Sequence, residues 1–141
     1  MNPFQSLPDY ERFVCTLQSQ FPELASSTLI LLRRGRFLAE LTGEVLHRNG
    51  CRLVAYERLA WEAGPLRIVG YSYEVWRGTE KLCWYDSQPH PGEPALASTH
   101  PHHKHLPPDL KHNRVPAPGL SFTAPNLPLL IREVSALPRH V

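Results

Sequence analysis

The sequence predicts an α+β domain: an antiparallel meander of about four to five strands, packed by an N-terminal and a C-terminal helix, with a proline-rich strap. Three observations predict it. Residues 37–86 alternate apolar and polar positions between turn signals. Residues 6–21 and 126–137 instead place their apolar side chains at spacings of three and four. Between the sheet and the last helix, residues 87–125 hold nine of the fifteen prolines and lose both periods. At 141 residues and 42% hydrophobic, the chain suits one domain spanning 1–141.

The first helix rests on Leu7, Tyr10, Phe13, Val14, Leu17 and Phe21, which form one apolar stripe. Ser6 is its expected N-cap, Pro8 fits the first turn and Pro22 closes it. The run Thr28 to Leu32 is too short for periodicity to decide between strand and helix. Arg33, Arg34 and Arg36 follow, and read as a solvated turn before they read as phosphate contacts. The meander then begins. Asn49-Gly50 is a strong hairpin signal, Gly64-Pro65 the next turn and Gly78 the third. Residues 126–137 form the second helix on Leu127, Leu130, Ile131, Val134 and Leu137, with Asn126 as its expected cap and Pro138 after it.

Composition removes several classes of function. The net charge of +2 permits an anionic partner without requiring one. Cys15, Cys51 and Cys83 are odd in number and lack a CxxC pair, so neither a disulfide framework nor a cysteine zinc site is expected. No apolar run reaches the ~18 residues of a membrane span, and Met1 to Glu11 lacks the pattern of a signal peptide. The expectation is a cytoplasmic protein without a membrane partner.

The strap carries the chemistry. Thr99-His-Pro-His-His-Lys-His-Leu106 places His100, His102, His103 and His105 within six positions, around Lys104. Imidazole gains and loses its proton near neutrality, with an ordinary pKa of ~6.5. In an extended segment His103 and His105 share one face, while His100, His102 and Lys104 share the other. Two imidazoles and an ammonium suffice for RNA cleavage without a metal or cofactor: one ring takes the 2′-hydroxyl proton, another protonates the leaving oxygen, and the cation meets the phosphate. Asp86, at the end of the fourth strand, is placed to orient an imidazole. Tyr71 and Tyr73 share a strand face and are candidates to stack on a base, and Glu57 and Arg58 are further candidates. Two other readings stay open. Histidines in an extended segment can ligate zinc for a hydrolase. The basic strap, with Lys104, Lys111 and Arg114, can instead grip nucleic acid or a partner protein without chemistry.

The passages Tyr71-Ser-Tyr-Glu-Val-Trp76, Trp84-Tyr-Asp-Ser-Gln-Pro-His90 and Pro101-His-His-Lys-His105 resemble the TumE family of small prokaryotic toxins. The resemblance spans about Phe37 to Leu137 and rests on Asp86, His90 and Pro101 to His105. It implies the toxin of a toxin–antitoxin pair, with a cognate antitoxin as partner and RNA as the substrate. It also draws His90 into the nucleic-acid-binding set with Tyr71, Tyr73, Lys111 and Arg114. A homodimer is compatible with the sequence. The proline-rich stretch after His105 departs from the family pattern, which leaves Lys111, His112 and Arg114 without a role carried over from it.

Overall fold

Ser6 starts the first helix as its composition demands. Its hydroxyl accepts the Asp9 backbone N–H at 3.2 Å, and Asp9 sits in the first turn, where the helix end favours a negative charge. In the computed structural model, which describes residues 2–62, 64–88 and 92–139, this helix is α1 (Leu7–Cys15), followed by a short α2 (Leu17–Gln20). The expected continuous helix over 6–21 is broken at Thr16. The Thr16 hydroxyl donates to the carbonyl of Arg12 at 2.8 Å, the backbone leaves helical geometry there, and α2 begins at Leu17.

Eight strands follow: β1 (Leu24–Ser27), β2 (Ile30–Arg33), β3 (Leu38–His47), β4 (Cys51–Ala60), β5 (Arg67–Arg77), β6 (Glu80–Asp86), β7 (His103–His105) and β8 (Arg114–Pro116). They form one antiparallel sheet in the order β1-β3-β4-β5-β6-β7-β8, with β2 also on β3. The sheet therefore has more strands than expected. The undecided run at Thr28 to Leu32 falls in the two-residue link Thr28-Leu29 and in β2. The strap contributes β7 and β8, which extend the meander beyond β6. Between β1 and β2 the backbone of Thr28 and Leu29 passes close to Gly43 of β3. A Cβ on Gly43 would stand 2.6 Å from the Thr28 carbonyl oxygen, and the residue has φ +134°, so only glycine fits this approach.

Alternation gives the sheet two unlike faces. Leu41, Val45, Leu53, Ala55, Leu59, Tyr71, Tyr73, Val75 and Tyr85 point to the core, where Tyr10 and Val14 of α1 and Leu130, Ile131 and Val134 of α3 (Leu127–Ser135) cover them. The hairpin at Asn49-Gly50 is also a clamp on α3, because the Asn49 amide donates to the carbonyls of Val134 and Leu137. Asn126 does not cap α3 with its side chain. Its amide accepts from the Ser121 N–H at 2.8 Å and donates to the Ser121 carbonyl and the Tyr73 hydroxyl, so it anchors the end of the strap in the core. The opposite face of the sheet carries Tyr56, Arg58, Ser72, Trp76, Trp84 and Asp86. Register sets Ser72 opposite Asp86, and Asp86 opposite His103.

Candidate active site

Two short patterns of period two meet across one strand pair. On β6, Trp84 and Asp86 project to the same face. On β7, His103 and His105 do the same. The antiparallel register pairs Asp86 with His103 and Trp84 with His105. Opposite residues stand side by side and diagonal ones remain within reach of long side chains. The Asp86 carboxylate thus meets both imidazoles: His103 Nε2 lies 2.7 Å from Oδ1, and His105 Nε2 lies 3.3 Å from Oδ2. The two Nε2 atoms are 3.1 Å apart. All three side chains are buried.

The other ring nitrogens are spoken for. His103 Nδ1 contacts the carbonyl of Pro101 at 3.0 Å, and His105 Nδ1 contacts that of Leu110 at 2.5 Å. A carbonyl only accepts, so each Nδ1 carries a hydrogen and each Nε2 is turned inward. The Trp84 indole lies on the His105 ring, with centroids 4.3 Å apart and planes at 17°, and its N–H donates to the Ser72 hydroxyl at 2.9 Å. Burial pulls the His105 pKa below its ordinary value, against the opposing pull of Asp86. The Gln88 backbone N–H donates to Asp86 Oδ1 at 3.1 Å.

Beside this cluster is an open depression of ≈ 550 Å³, lined by Tyr56, Arg58, Ser72, Gln88, Pro101 and others. Ser72 and Gln88 are the neighbours of Asp86, and Pro101 holds His103, so the depression adjoins the cluster. Arg58 is exposed, lies against Gly70, and makes no ion pair among the described residues.

The structure does not bring the rest of the histidine–lysine segment to this point. Lys104 projects to the helix-covered side, with its ammonium 5.0 Å over the Tyr85 ring, in a groove that also contains Glu133. His102 precedes β7 and turns to the core. Its Nδ1 is 2.6 Å from the Tyr71 hydroxyl, and its ring packs against Phe122. Burial first, then His100 and His103, lower its pKa. Tyr71 and Tyr73 share a face and stack at 4.9 Å on the core side, and burial raises the pKa of each, but Tyr71 also lines the depression. Tyr73 has no exposed surface to offer a base. Arg114 is engaged by Glu93 at 2.6 Å, His112 by Asp109 at 3.0 Å, and Lys111 is exposed. His90 lies outside the described residues. Glu57 and Arg58, adjacent on β4, part company: Arg58 reaches the depression, whereas Glu57 is fully buried on the core side, accepting from Tyr10 at 2.6 Å and Tyr73 at 2.5 Å. Burial raises the Glu57 pKa to about 7, and the two hydroxyls oppose it.

Sequence reasoning passed over Trp84 as a support for His105, and Tyr56, Ser72 and Gln88 as walls of the depression. The i, i+2 spacing of Trp84 and Asp86 against that of His103 and His105 was the available signal, since two such pairs on adjacent strands fall into contact.

The family described as Toxin TumE matches residues 17–138. The chain belongs to the TumE toxin family. Membership makes it the toxin component of a toxin–antitoxin system, with a cognate antitoxin as partner. The match covers β1 through α3, so the TumE region contains Asp86, His103, His105 and Arg58. No curated protein and no solved structure matches the chain. No helix among the described residues is long and apolar enough to cross a membrane.

Proposed function

We propose that this TumE-family toxin acts by cleaving RNA, with the phosphodiester reacting at Asp86, His103 and His105. The observation that carries the reading is the convergence of one carboxylate and two imidazoles within 3.3 Å of one another, beside a depression that contains Arg58, which makes no ion pair among the described residues. Such a centre can deprotonate the oxygen that attacks phosphorus. Arg58 supplies the planar, permanently charged donor that suits a phosphate, the role first expected of Lys104. Tyr56 and Ser72 add hydroxyls along the same wall.

The reading of the strap as a basic grip has less behind it, because Glu93 pairs with Arg114, His102 packs on Tyr71 and Phe122, and Lys104 lies over Tyr85. The deciding experiment is induced expression in a bacterial host, wild type beside His103→Gln and Asp86→Asn, with growth and total RNA followed together. Growth arrest with RNA cleavage by wild type, and neither effect in the variants, is the expected result. Arrest by wild type with intact RNA would overturn it.

A further inference from the structure

We propose that Asp86, His103 and His105 bind one divalent transition-metal ion, of which zinc best suits the donors. Binding is argued from the donor atoms alone; its use in catalysis rests on the RNA-cleavage reading above.

Three features point to an ion. The first is spacing. A four-coordinate zinc with bonds of ~2.0–2.1 Å places neighbouring donors ~3.3 Å apart. Here His103 Nε2 is 2.7 Å from Asp86 Oδ1, the two Nε2 atoms are 3.1 Å apart, and His105 Nε2 is 3.3 Å from the other carboxylate oxygen, Oδ2, so one donor atom from each residue falls within 4.8 Å of the other two. The second is tautomer. The Pro101 and Leu110 carbonyls hold hydrogen on both Nδ1 atoms, so two Nε2 lone pairs and a carboxylate oxygen face one point. A backbone carbonyl behind each ring is the outer support that metal-bound histidines ordinarily have. The third is charge. The carboxylate is buried, and among the described residues its only ion-pair partners are the same two imidazoles, with no lysine or arginine. A buried carboxylate facing two inward ring nitrogens is stabilised by positive charge between them, which a bound metal ion supplies to all three donors at once. The strand pair and the Trp84 stack fix the rings beforehand, which lowers the cost of ordering ligands.

Two nitrogens and one oxygen favour zinc and its neighbours over magnesium or calcium, which prefer oxygen. Three protein ligands leave a position for water or a phosphoryl oxygen, and a bound ion there would acidify the one and polarise the other. In hydrolysis the water oxygen bonds to phosphorus, the P–O bond to the leaving group breaks, and the water proton passes to the leaving oxygen. No oxidant or reductant is needed.

The test uses the full chain, stripped with chelator, checked for fold by circular dichroism, and titrated with Zn²⁺ by calorimetry and with Co²⁺ by visible absorption. One equivalent is expected, with cobalt bands of a nitrogen–oxygen site and no thiolate charge transfer. Asp86→Asn and His105→Gln are expected to weaken zinc by at least ~10-fold, whereas His112→Gln and Cys15→Ser leave it unchanged. Folded wild type that takes up no zinc, a thiolate signature, or undiminished affinity in folded Asp86→Asn and His105→Gln would each overturn the site. If those variants lose their fold, the wild-type stoichiometry and cobalt spectrum decide. RNA cleavage that persists in EDTA without bound zinc would defeat the ion and spare the ribonuclease. Zinc bound at these ligands by a toxin that leaves RNA intact would do the reverse.

Discussion

Arg58 and Lys104 test the site from opposite sides of the sheet. Arg58 is exposed in the depression whose wall includes Ser72 and Gln88, the neighbours of Asp86; Lys104 lies over Tyr85 on the helix side. Arg58→Ala is therefore expected to lower RNA cleavage about 10²-fold, the usual scale for one lost oxyanion partner, with stability changed by less than about 0.5 kcal/mol. Lys104→Ala is expected to leave cleavage unchanged. Cleavage assays with both purified variants, each paired with a denaturation curve, check this; equal losses would mean that the phosphate is held elsewhere. Trp84→Ala removes the plate on which His105 rests and the bond to Ser72. It is expected to cost activity, while Trp84→Phe, which keeps an aromatic face, retains most of it. At this scale much was legible. The parity of His103 and His105 follows from their spacing, and Asp86 stands where the fourth strand was expected to end. What spacing could not supply was the face. Both Tyr71 and Tyr73 share a side as expected, but whether helices or solvent cover that side depends on α1 and α3, which are remote in sequence.

At the scale of elements, Glu57 joins α1, β4 and β5, and through Tyr73 and Asn126 it reaches the end of the strap. Its folded pKa of about 7 stands above the ordinary carboxyl value of 4.5. A folded state that holds a proton more tightly than the unfolded chain is favoured at low pH. This stabilisation is complete below pH 4.5 and is lost as pH rises to about 7, by about 3 kcal/mol in all at ~1.4 kcal/mol per pH unit. Urea denaturation between pH 5 and pH 8 is expected to show that decline, and Glu57→Gln to flatten it; an unchanged slope would remove Glu57 as its source. Gly43 is the second test. Gly43→Ala sets a methyl against the Thr28 carbonyl at a φ that favours glycine, with an expected cost of about 1–3 kcal/mol, read from the same curves. The elements themselves were unevenly legible. The long strands β3 to β6 were evident because each repeats its alternation several times. Strands β7 and β8 have three residues each, one of them ending in Pro116, too few to show a period. The stop at Thr16 depends on a side-chain-to-backbone bond that an apolar stripe does not reveal.

For the whole molecule, the strap is part of the sheet rather than an appendage. β7 and β8 continue its ladder, and Leu96, Ala117 and Leu120 are buried along the way. Such continuity predicts one cooperative unfolding transition. Tryptophan fluorescence, dominated near the cluster by Trp84, should follow the same denaturant midpoint as far-ultraviolet circular dichroism, and two separated midpoints would divide the chain into two units. The topology also bears on how a cell makes such a protein. Asp86 and the two imidazoles become neighbours only when β7 adds to β6, and His105 needs the Leu110 carbonyl besides. A growing chain that has reached residue 86 carries a carboxylate with nothing to act through, and a chain truncated before residue 103 never acquires the centre. On the ribonuclease reading, a ribosome can therefore build most of this polypeptide before the product is able to damage the transcript that encodes it.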